Sequence, residues 1–107
     1  MAGDQLRGYL GMLLLAVLTS GPAHGYELSA ELRRRSNGLL LIVEGSLYPA
    51  LHRLEAAGLV ASSTEISDGR RRRVYEITAD GKEALDEEIR SWNEFQACVH
   101  EVLREIP

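Results

Sequence analysis

Residues 44–77 read EGSLYPALHRLEAAGLVASSTEISDGRRRRVYEI, and this stretch decides the fold. The leucines in its first part follow the spacing i, i+4, i+7, at Leu47, Leu51 and Leu54. This spacing gives one apolar face to a helix that runs from about Glu44 to Ala57 and is closed by Gly58. We therefore predict an amphipathic helix whose leucines are buried.

The second part of the stretch predicts a β-hairpin. Leu59 to Ile66 and Arg73 to Ile77 alternate in polarity and carry β-branched residues, as strands do. They are joined by Ser67-Asp68-Gly69-Arg70, in which Asp-Gly is a common turn pair. The arginine run 70–73 is then expected at the hairpin tip.

Two more helices are predicted on the N-terminal side. The first runs from about Gln5 to Leu18 before the breaker Ser20-Gly21-Pro22, and the second from about His24 to Arg35 before Asn37-Gly38. The apolar face of the first helix comprises Leu6, Leu10, Leu13, Leu14, Val17 and Leu18. The expected core consists of Leu10, Leu14, Leu28, Leu32, Leu51 and Leu54.

A long final helix is predicted from its N-cap Thr78 to about Glu105. Three helices followed by a hairpin make a winged helix-turn-helix, in which the second helix supports a third that can lie in the DNA major groove. The predicted fold is mainly α with a small β-hairpin. Residues 1–77 are expected to form the DNA-binding domain and residues 78–107 a C-terminal dimerisation helix, together one structural unit.

The composition is that of one globular domain, with 107 residues, 45% of them hydrophobic and 26% charged. The single cysteine, Cys98, excludes an internal disulfide and a cysteine-rich zinc site. The apolar run Leu10–Leu18, flanked by Arg7 and Thr19-Ser20-Gly21-Pro22-Ala23, is similar to a secretory signal peptide but is about half of a membrane span. Asp4 in the would-be leader and the helical spacing favour a core helix of a cytoplasmic protein.

Charge is distributed unevenly along the chain, whose net charge is −4. Residues 33–73 hold eight arginines against four acids, for +4, whereas residues 74–107 carry −6. A basic middle is compatible with a polyanionic partner, because counterion release is local. The acidic C-terminal part is expected to face away from that partner.

Several segments in fixed order resemble the PadR family of bacterial transcriptional regulators. They are HGYEL at His24–Leu28, EGSLYPALHRLE at Glu44–Glu55, Gly58-Leu59, DGRRRRVY at Asp68–Tyr75, and ITADG at Ile77–Gly81. The likeness spans residues 6–104. It implies a winged-helix domain, a homodimer, repression relieved by a small molecule, and the short-tailed branch with one helix after the wing. A two-fold dimer is in turn expected to bind a roughly palindromic operator.

One position departs from the family pattern. Val43 stands where relatives usually have a small polar cap before the recognition helix. A valine cap leaves an N–H group unsatisfied at a cost of about 1 kcal/mol. Either Ser46 caps a helix that starts later or water serves that group.

Candidate DNA-binding residues follow from the third helix and the wing. They are Ser46, Tyr48, Pro49, His52, Arg53, Arg70, Arg71, Arg72 and Arg73, whose hydroxyl, imidazole and guanidinium groups suit phosphates or base edges. Tyr48 is equally consistent with a ring packed on the second helix, and His52 with a surface or helix-packing position. Arg53 is also consistent with a surface ion pair to Glu55 or Glu27, and Arg73 with a role in the fold. His24 and Tyr26 have structural roles or contact phosphates.

The final helix carries a heptad-like seam for a second chain. Its members are Leu85, Ile89, Trp92, Gln96, Val99, Leu103 and Ile106. The alternative is a helix folded back over the first helix. Trp92, Phe95 and Gln96 are the candidates for an aromatic or apolar effector, since the resembled family binds such compounds between protomers.

No enzyme motif, metal-ligand set or cofactor site is recognisable, so we expect neither an enzyme nor a bound cofactor. Two function classes are left. One is a DNA-binding repressor, which the arginine wing favours. The other is a winged-helix protein-interaction module that does not bind DNA.

Overall fold

A computed structural model describes residues 3–107 of the chain, and the side chains from residue 8 onward. The elements are α1 (Gly3–Leu18), β1 (Ala23–His24), α2 (Gly25–Arg35), α3 (Glu44–Ala56), β2 (Val60–Ser67), β3 (Arg70–Ile77) and α4 (Ala79–Leu103). The predicted order of three helices, a hairpin and a long helix is confirmed. No helix within residues 3–107 combines the length and apolar character needed to cross a membrane.

The core lies between α1, α2 and α3 and is built from leucines. All six residues expected in it are buried: Leu10, Leu14, Leu28, Leu32, Leu51 and Leu54. Leu15 and Leu47 join them, while Leu13 packs at the edge of the cluster. The side chain of Leu6, expected on the same face of α1, lies outside the described residues.

The third helix begins at Glu44 with Val43 as its N-cap, and no side chain caps it. The Val43 carbonyl accepts the backbone N–H groups of Ser46 and Leu47, at 3.0 and 2.9 Å. Ser46 therefore lies inside the first turn and does not cap a later-starting helix. The third helix therefore starts at Glu44, as predicted, without a side-chain cap.

The wing belongs to a three-stranded antiparallel sheet in the order β1-β3-β2. The short strand β1, which was not predicted, pairs Ala23 with Tyr75 and His24 with Val74. The turn between β2 and β3 consists of Asp68 and Gly69 alone, with φ angles of 52° and 74°. Two successive positive φ values are typical of a tight hairpin turn that glycine and aspartate tolerate.

The tight turn corrects the expected place of the arginines. Strand β3 begins at Arg70, so residues 70–73 are paired along the strand with Thr64–Ser67 and do not form a loop at the tip. Side chains in a strand alternate between its two faces. Arg71 and Arg73 therefore share a face with the buried Tyr75, and Arg70 and Arg72 point to the other.

The last helix starts as predicted. The Thr78 hydroxyl accepts the N–H of Gly81 at 3.0 Å and donates to the carbonyl of Gly58 at 2.7 Å, which ties α4 to the end of α3. Leu85 corrects the predicted seam, because it is only 5% exposed and belongs to the core of its own chain. Trp92 packs edge-to-face on Tyr9 of α1, with ring centroids 4.9 Å apart.

Candidate nucleic-acid interface

The outer face of α3 is free of the core. Leu47, Ala50, Leu51 and Leu54 point inward, and the remaining positions turn outward by the helical period. The candidates Ser46, Pro49, His52 and Arg53 are all exposed there. Among residues 8–107, no carboxylate forms an ion pair with Arg53, so the pairing with Glu55 or Glu27 considered from the sequence is not formed.

Tyr48 lies on the flank of α3 that faces the wing, and its ring packs on the start of α2. A Cβ atom added at Gly25 would lie 2.6 Å from the Tyr48 hydroxyl and 2.9 Å from two ring carbons. Only glycine leaves room for this contact. Tyr48 nevertheless stays 37% exposed, so one ring both packs on the second helix and reaches the surface.

A groove of about 500 Å³ separates α2 and α3 from the wing. Its walls are His24, Gly25, Tyr26, Tyr48, Arg70, Arg71, Arg72 and Arg73. The structure thus brings the wing arginines together with both residues singled out at the start of α2. Gly25 is the member that sequence reasoning missed; its only signal is its place in the HGYEL segment.

His24 and Tyr26 differ in their local roles. His24 precedes α2, where its N–H donates to Oε1 of Glu27 at 3.0 Å and its Nδ1 lies 3.0 Å from the same oxygen. Glu27 in turn stands in the first turn of α2, where a negative charge is favourable. Tyr26 is 79% exposed, which leaves its ring and hydroxyl open to solvent.

The wing arginines are not neutralised by neighbours. Within the part of the chain whose side chains are described, no carboxylate lies within 4 Å of Arg70, Arg71 or Arg72. Glu65 lies directly opposite Arg72 in the backbone register of the hairpin, but their side chains form no ion pair there. Unpaired guanidinium groups beside a groove create a positive potential that attracts anions.

Arg73 has a different environment. Its Nη1 donates to Oγ of Ser62 at 2.8 Å, and the Ser62 hydroxyl donates to Oε2 of Glu55 at 2.5 Å. Burial raises the pKa of the neighbouring Tyr75, and Arg73 partly opposes that rise. Arg73 is thus bound to the end of α3 by hydrogen bonds. Ser62 and Glu55 were not expected at the site.

A second basic cluster lies at the end of α2. Arg34 and Arg35 both donate to Glu31, at 2.5 and 2.9 Å between the closest atoms. These hydrogen bonds, first from Arg34 and then from Arg35, lower the pKa of Glu31 from 4.5 to about 2. The same ion pair raises the pKa of Arg34. This cluster carries its own counter-charge.

The part of α4 from Ile89 onward, and Ile106 beyond its end, leave apolar side chains exposed. Ile89, Phe95, Val99, Val102, Leu103 and Ile106 are each more than a third exposed, and Gln96 is exposed beside them. Ile106 lies beyond the end of α4 at Leu103. A recess of about 230 Å³ lies between α1 and α4, with Tyr9, Met12, Trp92 and Phe95 among its walls.

Comparison with known proteins identifies relatives of this chain. Residues 14–87 match the model of the transcriptional regulator PadR-like family. The chain is 46% identical over 71 residues to the transcriptional regulator Rv3488 of Mycobacterium tuberculosis, covering 66% of this chain and 64% of that protein. It is 34% identical over 97 residues to an uncharacterized protein X of Lysinibacillus sphaericus, covering 90% and 89%.

Solved structures agree with the fold described above. A transcriptional regulator from Clostridium thermocellum has a TM-score of 0.87 at 30% identity, covering 92% of this chain and 97% of that one. A PadR family transcriptional regulator from Eggerthella lenta has a TM-score of 0.86 at 32% identity, covering 96% and 88%.

Proposed function

The chain belongs to the PadR-like family of transcriptional regulators, and from this premise we propose that it binds double-stranded DNA as a homodimer and represses transcription. The observation that carries the proposal is the groove of about 500 Å³, where unneutralised arginines of β3 stand beside Tyr48 of α3 and the start of α2. A positive groove next to an exposed helix suits a duplex, because the arginines can bind the phosphate backbone while the helix contacts base edges.

The residues of the interface divide by chemistry. Ser46, His52 and Arg53 on α3 are the candidates for base edges, since they are exposed on the face that would enter the major groove. Arg70, Arg71 and Arg72 are the candidates for phosphates. Pro49 and Tyr48 shape the surface between them, and His24 and Tyr26 lie where a phosphate could meet the start of α2.

Selection from a pool of random duplexes tests the proposal. The purified chain is expected to enrich an inverted repeat, because a two-fold dimer presents two recognition helices about 34 Å, one turn of DNA, apart. A variant with His52→Ala and Arg53→Ala should lose the preference for that repeat. If no sequence is enriched and no duplex is retained even at low salt, the chain is instead a winged-helix protein-interaction module.

The proposed dimer uses residues 78–107, which extend from the DNA-binding domain of residues 1–77. Support comes from the exposed apolar stripe on α4, a surface that a single chain leaves in water. Ile89→Asp and Val99→Asp should each place a charge in a desolvated seam and yield monomers in sedimentation. Ala97→Asp is the matched control, because it adds the same charge to an exposed position of α4 whose neighbours one turn away, residues 93, 94, 100 and 101, are all polar. A folded parent that sediments as a monomer at micromolar concentration contradicts the dimer.

We also propose that a flat aromatic or apolar effector releases DNA by binding near Trp92, Phe95 and Gln96. The recess lined by Trp92 and Phe95 supports this, since it joins apolar walls with few polar groups. Such a compound lowers DNA affinity only insofar as it prefers the non-binding arrangement of the dimer. Trp92 is the only tryptophan, so its fluorescence reports binding directly. If a compound released DNA and left this fluorescence unchanged, the effector would bind at a site away from Trp92.

A further inference from the structure

The hydrogen bonds that run from Arg73 through Ser62 to Glu55 join three elements of the candidate interface. Glu55 lies in the last turn of α3, Ser62 in β2 and Arg73 in β3. The hydroxyl of Ser62 is the central link, because it accepts from the guanidinium of Arg73 at 2.8 Å and donates to the carboxylate of Glu55 at 2.5 Å. Both ends of the link are charged, and hydrogen bonds to charged groups are the strong ones.

The position of this link relates it to the geometry of DNA binding. Glu55 lies seven residues, about two helical turns, after Tyr48, on the flank of α3 that faces the wing. Ser62 and Arg73 stand on the sheet face of the buried Tyr75, since Ser62 is the direct cross-strand partner of Tyr75. The link therefore spans the gap between the end of α3 and the middle of the wing.

We propose that Arg73 and Ser62 are positioning residues that fix the angle of the wing against α3, and that Arg73 does not act as a phosphate contact. The inference rests on the proposed function, because the angle matters only if helix and wing engage one duplex. Arg71, which shares the face of Arg73, forms no such bond among the described residues and stays available for phosphate.

The two roles predict different behaviour in DNA titrations. A lost phosphate contact weakens binding to every sequence alike and lowers the slope of log affinity against log salt by about one per contact. A lost positioning contact leaves that slope unchanged and weakens binding to the preferred duplex more than to an arbitrary one. Fluorescence anisotropy is measured with the duplex recovered by selection and with a mixed-sequence duplex of equal length, over a series of salt concentrations.

Five single variants and one double variant make the test, and Arg71→Gln among them is the reference for a lost phosphate contact. Ser62→Ala and Arg73→Gln should each lower affinity for the selected duplex by about tenfold, and the double variant no further, because both break one link. Ser62→Thr retains the hydroxyl and should restore parental binding. Ser63→Ala, the adjacent residue on the opposite sheet face, is the matched control and should bind as the parent does. Circular dichroism checks that each variant is folded.

The outcomes separate this inference from the proposed function. If the parent binds neither duplex, the proposed function fails before the variants are compared. If the parent binds, a salt slope lowered by Arg73→Gln as much as by Arg71→Gln overturns the positioning role. Additive losses from Ser62→Ala and Arg73→Gln, or no loss from Ser62→Ala, overturn it as well.

Discussion

The arginines at the end of α2 and those at the start of β3 form two positively charged clusters of similar size, of which only the first is paired with an acid. On α2, Arg34 and Arg35 fall three and four residues after Glu31, and the helical period brings all three side chains together. On β3, residues 70–73 alternate between two faces, and their cross-strand partner segment, Thr64–Ser67, holds a single acid. The number of arginines alone does not distinguish the clusters. The difference comes from the backbone period, which is 3.6 residues in the helix and two in the strand.

The difference assigns different tasks to the two clusters. The Glu31 carboxylate, hydrogen-bonded to two guanidinium groups, offsets one of their two positive charges, and the cluster also lies at a helix C-terminus, where cations are favourable. The β3 cluster keeps its positive potential and lines the groove beside α3. We therefore expect DNA affinity to depend on β3 and local helix stability to depend on α2.

The largest effect is expected from Arg71→Gln combined with Arg72→Gln. The dimer then loses four charges facing the phosphates, and at low salt affinity should fall by about a hundredfold or more for any sequence. Electrophoretic mobility shift with selected and arbitrary duplexes measures it. Binding as tight as that of the parent at the same salt would mean that the wing does not touch DNA.

The opposite change is expected from Glu65→Gln. Glu65 is the acid placed across from Arg72 in the hairpin, and its removal leaves the wing more positive near the phosphates. Affinity should rise by about two- to fivefold at low salt and converge with the parent at high salt, because exposed charges are screened. Glu94→Gln, an exposed acid on α4, serves as the control and should leave affinity unchanged. A rise of equal size in the control would show that the effect comes from the net charge of the protein and not from the position of Glu65.

A smaller effect on DNA is expected from Arg34→Gln combined with Arg35→Gln. This double variant removes as many positive charges as the β3 variant, yet affinity should stay within about threefold of the parent. Its charges lie at the end of α2, about 13 Å along the helix from the residues that line the groove, and salt screens exposed charges over that distance. The same titration measures it. A loss matching that of the β3 variant would erase the distinction between the two clusters.

The smallest effect concerns pH and stability. The pKa of Glu31 is lowered from 4.5 to about 2, so its ion pairs stabilise the folded chain above about pH 4.5 and lose that effect as the pH falls through 2. Glu31→Gln should be slightly less stable than the parent at neutral pH and equal to it near pH 2. Urea denaturation across that range measures the difference. A difference that does not depend on pH would show that the ion pairs are not its cause.

Much of the fold could be predicted because leucine spacing and turn residues act locally. The six leucines expected in the core are buried, and Asp68-Gly69 forms the turn. Strand β1 was missed because two residues carry no periodicity, and its pairing with β3 is a long-range contact. Leu85 was assigned to the wrong surface because a heptad pattern does not reveal that the first turns of α4 already pack on the domain's own core.

The candidate site was predictable in its residue types and less so in its contacts. The exposed face of α3 and the arginine run were recognisable from the sequence. The approach of Tyr48 to Gly25 and the bonds from Arg73 through Ser62 to Glu55 were not, because they join residues that are distant along the chain. Whether an arginine faces a phosphate or a neighbouring hydroxyl depends on the strand register. The sequence predicted a connection over residues 67–70, whereas the turn is Asp68-Gly69 alone, so the register of the arginines could not be read from the sequence.

The most direct measurement of the central claim is the slope of log affinity against log salt for the parent chain on duplex DNA, compared with that of the Arg71→Gln/Arg72→Gln variant. Each phosphate contact contributes about 0.9 to the magnitude of this slope. A dimer that uses Arg71 and Arg72 of both protomers should therefore lose about 3.6 in magnitude when they are replaced. Equal slopes for the two proteins would contradict the account.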